Sequence, residues 1–343
     1  MSPKTLLITG ASGFIGQYVV TQALKQGYRL RTTSRSLSNR LLPWQAHPNL
    51  EILEGNLLDS QFCLKVMTGV DSIIHLAAAM KGSFEKQYAS TVTVTETIVN
   101  NLPKTNVKRL VAITSFSVFD YQGCEIGSLI DENTPIEASP TLRDTYAQTK
   151  VMQEEILRQF QQETKSVEVV IIRPGMVYGR GHLWNARLGI KPSQNLWLLI
   201  GGNGKMPLTY VENCAEALVK AAVLRDCGGY TLNLVDDDLP TQQEFSQKLI
   251  SYLPEKPHLL TISWSLIKTL SQIIWQGNKS IFQTNLKLPG LLIPKRLHAR
   301  YKPMEYTNQK AKQILEWSPQ YSLDEALQRS FSDADLLKVI VSQ

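Results

Sequence analysis

Cysteine is scarce and scattered. The four present, Cys63, Cys124, Cys214 and Cys227, form no CxxC pair. That argues against a zinc site or a disulfide framework and suits a reducing, cytoplasmic setting, with no metal expected. Long blocks of Lys and Arg are absent. A formal charge of +6 on 343 residues therefore describes a mildly basic solvated surface, and nucleic acid is not an expected partner. No uninterrupted apolar run is long enough to span a bilayer. Met1-Ser2-Pro3-Lys4 leads directly into a strand-like segment and lacks the features of a cleavable leader. Internal repeats and low-complexity tracts are also missing. What remains, 43% hydrophobic and 19% charged, is an ordinary globular balance, long enough for one large core and a smaller lobe.

The apolar pattern alternates between strand and helix. Thr5 to Thr9 reads as a buried strand stopped by Gly10, and Phe14 to Gln26 carries apolar residues at helical spacing up to Gly27. Strands are then expected at Tyr28–Thr33, Leu50–Leu53, Ser72–Leu76, Arg109–Ile113, Val167–Ile172 and Tyr230–Leu234. Helices are expected at Phe62–Met67, Thr91–Asn101, Thr145–Gln162 and Asn213–Leu224. This rhythm predicts a Rossmann-type, doubly wound parallel α/β sheet. Residues 1–178 would form the sheet-bearing domain, with 206–235 returning to it. Residues 179–205 and 236–343 would form a smaller, mainly helical substrate lobe.

Thr9-Gly10-Ala11-Ser12-Gly13-Phe14-Ile15-Gly16 joins the first strand to the first helix and matches GxxGxxG, a relative of the dinucleotide fingerprint. Gly10 permits the tight turn, Gly13 lets the backbone approach a pyrophosphate, and Gly16 lets helix and sheet pack closely. Backbone N–H groups of Ser12, Phe14 and Ile15 and the positive helix end then face the phosphates. After the second strand stands Thr33-Ser34-Arg35-Ser36, with no carboxylate to bind a free ribose 2′-hydroxyl. Ser34 and Arg35 suit a 2′-phosphate, so NADP is expected in preference to NAD. Asn56 and Leu57 follow the third strand, where adenine would lie. Leu76, Ala77 and Ala78 end the fourth and leave room for a cofactor along the backbone.

Tyr146 and Lys150 stand four residues apart, on one face of a helix. A neighbouring ammonium favours the phenolate and is expected to lower the Tyr146 pKa, fitting it to exchange a proton while hydride moves to or from nicotinamide. The spacing alone is nonspecific, since Tyr252/Lys256 and Tyr306/Lys310 share it. Pro254 disfavours a helix at the first of these, and the second lies far beyond the sheet. Ser115, at the carboxyl end of the fifth strand, is the choice to hydrogen-bond the reacting oxygen; Thr114 and Ser117 are weaker candidates.

With these residues in view, the chain resembles the extended short-chain dehydrogenase/reductase superfamily, the NAD-dependent epimerase/dehydratase family. TGASGFIG at 9–16, HLAA at 75–78, TSFSVF at 114–119, YAQTK at 146–150 and RPGMVYGRG at 173–181 carry the likeness. Asn203-Gly204, YVEN at 210–213 and the C-terminal KAKQILEWSPQYSLDEAL at 310–327 extend it. The resemblance implies that Ser115, Tyr146 and Lys150 form a catalytic triad, that Tyr146 and Lys150 also touch the cofactor, and that Pro174, Gly175 and Val177 lie along its nicotinamide side. Two departures are Asn56, where the family usually has Asp, and Thr91, where it usually has Asn.

The 3β-hydroxysteroid dehydrogenase and dihydroflavonol reductase branches are the nearer likeness. An NAD(P)-dependent oxidoreductase acting on a bulky, apolar, steroid- or flavonoid-like small molecule is the first expectation. A nucleotide-sugar epimerase or dehydratase, with Arg180, Arg187 and Lys205 meeting the diphosphate, is the alternative. A third reading, a cofactor-bound sensor or assembly protein without turnover, fits poorly with an intact triad. Leu259 to Trp275 is expected to be one helix with an apolar stripe, followed by apolar 289–294 and by Lys295, Arg296, His298, Arg300 and Lys302. Such a lobe, 259–300, could touch a membrane surface peripherally, although a stripe of this kind more often packs on the core. His182 and Trp184 are candidates to line the pocket, with a structural role the equal alternative for either. A homodimer is compatible with the sequence.

Overall fold

A computed structural model describes residues 4–36, 40–185, 187–201, 204–281 and 286–341. Within them the expected alternation closes into one seven-stranded parallel sheet. Its strands in chain order are β1 (Thr5–Thr9), β2 (Arg29–Ser34), β3 (Leu50–Glu54), β4 (Ser72–His75), β5 (Arg109–Ile113), β6 (Glu168–Pro174) and β7 (Thr231–Leu234). In space they lie in the order β3-β2-β1-β4-β5-β6-β7. The direction of winding reverses between β1 and β4, and the carboxyl ends there open a crevice.

Alternation along each strand loads both faces. Leu6, Ile8, Ile74, Val111 and Ile172 join the helices α1 (Phe14–Lys25) and α6 (Val211–Val223) in one buried cluster. Leu7, Ile73, Leu110, Ala112 and Ile171 join α2 (Ser60–Met67), α4 (Val94–Asn101) and α5 (Thr145–Glu163) in a second. The helix expected from Thr91 begins earlier, as α3 (Phe84–Tyr88), and reaches α4 through a π-helical turn at Ala89–Thr93. Ser83 caps its start by accepting from the Lys86 N–H, a cap hidden in a polar stretch without helical periodicity.

Beyond β7 come α7 (Gln242–Ser251), α8 (Trp264–Ile281), α9 (Pro294–Tyr301), α10 (Gln309–Leu315), α11 (Leu323–Phe331) and α12 (Leu336–Val341). Trp317, Leu323, Leu327 and Leu336 share the buried cluster of α1. The Tyr18 hydroxyl of α1 donates to Asp335 at 2.8 Å. Neither alternative Tyr/Lys pair shares a helix: α7 ends at Ser251, and Tyr306 ends a short strand before α10 begins.

The single helix expected over Leu259–Trp275 is corrected. His258–Ser263 is a strand that pairs in parallel with Leu196–Gly201, which in turn pairs antiparallel with Gly189–Ser193. Only Trp264 onward is helical. The spacing of Leu259, Leu260 and Ile262 suits either state, and a partner about sixty residues earlier in the chain decides it. The basic flank is also corrected. Lys295 and Lys302 donate to backbone carbonyls of Ser139 and Tyr121, and Arg296 to those of Leu142 and Arg143. Arg300 pairs with Asp144, and His298 is buried edge-on against Trp264. These cations brace α9 against the 116–144 region and do not form a free patch. Leu266, Leu270, Ile273 and Ile281 of α8 are exposed. Among the described residues no helix is long and apolar enough to cross a membrane.

Candidate functional site

The glycine loop stands at the crevice. Gly10 has φ +71°, and a Cβ there would lie 2.8 Å from the Ala77 nitrogen, so no side chain fits between the ends of β1 and β4. A Cβ on Gly16 would come within 2.2 Å of the Gly10 carbonyl oxygen; the helix can approach the turn only without it. Gly13 is the N-cap of α1 and supplies no side chain to its first N–H groups. Ser12, Phe14 and Ile15 are half-buried around that open helix end. A cradle of backbone donors at a positive helix terminus fits a dinucleotide diphosphate.

Cations gather beside it. Arg35 is exposed at the end of β2, next to the half-buried Ser34, whose hydroxyl donates to the Ser36 carbonyl. Arg40 reaches back toward the Ser12 carbonyl, 3.5 Å away. His182, a candidate for either a pocket-lining or a structural role, stacks on Phe14 of the loop at 4.0 Å between ring centroids. Burial, then Arg40 and Lys81, push its pKa down. Arg40 and Lys81 were not legible in the sequence: they lie in loops with no motif and meet the site only in three dimensions. Trp184 packs edge-on against Trp197, and the Lys191 ammonium lies over both rings.

The remaining predicted cofactor positions line the crevice unevenly. Leu57 is buried, while Asn56 is exposed and its side-chain oxygen accepts from the Leu58 N–H. Leu76, Ala77 and Ala78 are half-buried beyond β4, and the N–H groups of Leu76 and Ala77 both donate to the Thr9 hydroxyl. Pro174 ends β6 buried, with Gly175 and Val177 half-buried just after it. Thr91 is buried, and its hydroxyl accepts from the Ala79 N–H. Asn203 lies outside the described residues.

The structure brings Ser115, Tyr146 and Lys150 together. Ser115 caps a short turn after β5, with its Oγ 3.0 Å from the Ser117 N–H, and its hydroxyl also hydrogen-bonds the Tyr146 phenol. Tyr146 is in the first turn of α5, which Asp144 caps. Lys150, one turn further, holds its ammonium 5.9 Å from the Tyr146 ring centroid. The expected fall in the Tyr146 pKa is not what the structure displays. Burial pushes the phenol above its ordinary value, the Ser115 hydrogen bond opposes that rise, and Asp144 adds to it. Lys150 is the more perturbed partner, brought down to about 7 by burial against the pull of Glu154.

Thr114 is buried and donates to Glu154 at 3.0 Å, while Ser117 gives its backbone N–H to the Ser115 hydroxyl and keeps its own hydroxyl buried without a partner. Among the described residues no group of three or more His, Cys, Asp or Glu side chains is placed to hold a metal.

Of the three cations expected at a sugar-nucleotide diphosphate, Arg180 stands apart from the other two. Arg180 turns to the C-terminal segment, donating to the Ser332 carbonyl and lying near Asp335. Lys205 pairs with Glu305 at 3.0 Å. Arg187 lies over the Tyr121 ring and is hydrogen-bonded to the hydroxyls of Tyr121 and Tyr306. Arg187 and Lys205 still line one small pocket with Gln242, Arg300 and Tyr306.

Comparison with known proteins agrees with this geometry. A Mycobacterium tuberculosis (strain CDC 1551 / Oshkosh) 3β-hydroxysteroid dehydrogenase/Δ5→4-isomerase is 26% identical over 338 residues, covering 94% of this chain and 88% of that protein. An uncharacterized protein of Sinorhizobium fredii is 27% identical over 254 residues; the match takes in 73% of this chain and only 60% of that protein's length. The solved structure of a Bacillus cereus UDP-glucuronic acid 4-epimerase, with UDP-glucuronic acid and NAD, superposes with a TM-score of 0.70 at 17% identity, over 98% of this chain and 99% of that one. The model of the NAD-dependent epimerase/dehydratase family matches residues 6–232. With two thirds of its length inside that match and the nucleotide loop, sheet order and Ser–Tyr–Lys cluster in place, the chain belongs to the NAD-dependent epimerase/dehydratase family.

Proposed function

We propose that this protein is an NADP(H)-dependent oxidoreductase acting on a hydroxyl or carbonyl of a bulky, apolar, sterol- or flavonoid-like molecule. The observation that carries the reading is the meeting of Ser115, Tyr146 and Lys150 at the crevice that the glycine loop opens. Gly10, Ser12, Gly13, Phe14, Ile15 and Gly16 hold the diphosphate. Ser34, Arg35 and the newly found Arg40 hold a 2′-phosphate. Asn56 and Leu57 border the adenine, and Leu76, Ala77 and Ala78 form the floor. Lys150 holds the nicotinamide ribose, while Pro174, Gly175 and Val177 line the nicotinamide side. The bound dinucleotide supplies or accepts the hydride. Ser115 orients the substrate oxygen, and Tyr146 gives it a proton in reduction or takes one in oxidation. Residues 179–205 and 236–343 supply the substrate side. Any membrane contact of this lobe rests on α8 alone, since the 295–302 cations face inward.

The turning of Arg180 to the C-terminal segment, the pairing of Lys205 with Glu305, and the steroid dehydrogenase relative support an apolar substrate over a nucleotide sugar. The second reading, a nucleotide-sugar epimerase or dehydratase, draws on the shared lining by Arg187, Lys205 and Arg300 and on the epimerase neighbour. The deciding experiment follows NADPH absorbance with steroid, flavonoid and nucleotide-sugar carbonyls. Consumption with the apolar carbonyls is the expected result. Conversion of a nucleotide sugar with no net change in NADPH establishes the second reading instead.

The phosphorylated cofactor has its own check. NADPH is expected to bind more tightly than NADH, and Arg35→Glu to weaken NADPH by about 10–100-fold, the worth of one hydrogen bond to a charged group. Equal affinity of the unaltered protein for both dinucleotides overturns the assignment of Arg35.

A further inference from the structure

A chain of buried hydrogen bonds runs from the glycine loop to Lys150. The Thr9 hydroxyl lies 2.7 Å from His75 Nδ1, and His75 Nε2 lies 3.0 Å from the Thr95 hydroxyl. Thr95 donates to the Thr91 carbonyl at 2.6 Å, and Gln153 Nε2 donates to Thr95 at 3.2 Å. Gln153 Oε1 accepts from the Lys150 ammonium at 2.8 Å, and the Ile113 carbonyl accepts from it at 2.9 Å. Thr95, Lys150, Gln153 and His75 are all at most 2% exposed.

The donor inventory fixes the direction of every link. Thr95 has one hydroxyl proton, and the Thr91 carbonyl takes it. Its oxygen must then accept from both His75 and Gln153. His75 is thereby the neutral tautomer protonated on Nε2, and its Nδ1 accepts from Thr9. Gln153 must direct its NH₂ to Thr95, which leaves its carbonyl oxygen, and not its amide nitrogen, facing Lys150. Reversing that amide would set two donors against each other at Lys150 and two acceptors at Thr95.

We infer that Gln153 is a positioning residue for Lys150: its amide, oriented by Thr95 and His75, holds the ammonium beside Tyr146. The inference rests on the redox reading of Ser115, Tyr146 and Lys150. No sequence motif marks Gln153; it stands three residues after Lys150 on α5 and meets Thr95 of α4 only through packing. The ionisable groups facing Lys150 are Tyr146 and Glu154 from its own helix and His75 from β4, with Arg173 and Arg158 attached to Glu154. His75 is held neutral, at about 3, by burial first and then by Lys150. Lys150 therefore has one carboxylate nearby, already shared with two guanidiniums, and depends on neutral acceptors to stay charged.

The test is the pH–rate profile of carbonyl reduction in two variants of the full chain. Gln153→Leu removes the acceptor and is expected to move the alkaline limb, where Lys150 loses its proton, down by about one pH unit. It should lower kcat about tenfold near neutrality with KM and NADPH affinity unchanged. Gln153→Glu supplies a charged acceptor in place of a neutral one and is expected to move the same limb upward. Limbs that stay in place in both variants, or shifts of the same sign, overturn the inference. If Gln153→Leu fails to fold, the direction of the Gln153→Glu shift decides alone. Tyr146→Phe serves as the control for the underlying reading: full turnover in that variant removes the redox assignment, whereas an inert Tyr146→Phe with unmoved Gln153 variants removes only the role of Gln153.

Discussion

Tyr146→Phe is expected to lower turnover by about 10²–10⁴-fold, the usual contribution of a positioned acid or base, while NADPH binds as before. The substitution deletes one oxygen and keeps the ring, so the half-buried packing in the first turn of α5 survives. What disappears is the hydroxyl that Ser115 engages, on the ring whose centroid lies 5.9 Å from the Lys150 ammonium. The glycine loop depends on Gly10, Gly13 and Gly16 and not on this phenol, which is why binding and chemistry should separate. Fluorescence titration with NADPH and single-turnover reduction measure the two quantities. Turnover within a factor of ten of the unaltered protein would shift proton transfer to another group.

The largest stability effect is expected at Glu154. Its carboxylate is buried and accepts from Thr114, from Arg158 at 2.9 and 2.8 Å, and from Arg173 at 3.0 Å. Arg173 has no solvent exposure, and its guanidinium also lies 4.7 Å from the Phe119 ring centroid. Glu154→Leu leaves that guanidinium buried without its counter-ion and is expected to cost about 3–5 kcal/mol, read from urea unfolding. Glu154→Leu combined with Arg173→Leu should recover most of the loss, because the cost is an orphaned charge and not a missing attraction. A single variant as stable as the unaltered protein contradicts this account.

Acid should act at the same point. Burial raises the Glu154 pKa, but Arg173 and Arg158 outweigh it and hold the carboxyl below its ordinary 4.5. Its stabilisation is therefore complete above that pH and is lost as pH falls through the lower folded-state value.

Much of the site was legible because its determinants are local. A strand, three glycines and the first turn of an amphipathic helix lie within twelve residues, Thr5–Gly16, and Gly10 and Gly16 each answer a steric demand at their own positions. The Tyr146–Lys150 spacing is helical geometry, and Asp144 caps the helix that realises it. Residues without such local signatures were missed. Arg40, Lys81 and Gln153 carry no motif, and nothing in the sequence marks the stacking of His182 on Phe14 of the nucleotide loop. The strand at His258–Ser263 was read as helix because its few apolar residues fit both periods.

By itself the sequence determined the parallel sheet, the nucleotide loop and the identity of the proton-transfer candidates, since periodicity and chain-adjacent sterics suffice for these. Tertiary structure alone decided which charges remain available and which are consumed. It bound Arg180 to the C-terminal segment, turned Lys295, Arg296 and Lys302 onto backbone carbonyls, and linked Thr9 to Lys150 through His75, Thr95 and Gln153. A side chain's charge is written in its residue type, but its partners come from segments tens to hundreds of residues away, and only packing brings them within hydrogen-bond reach.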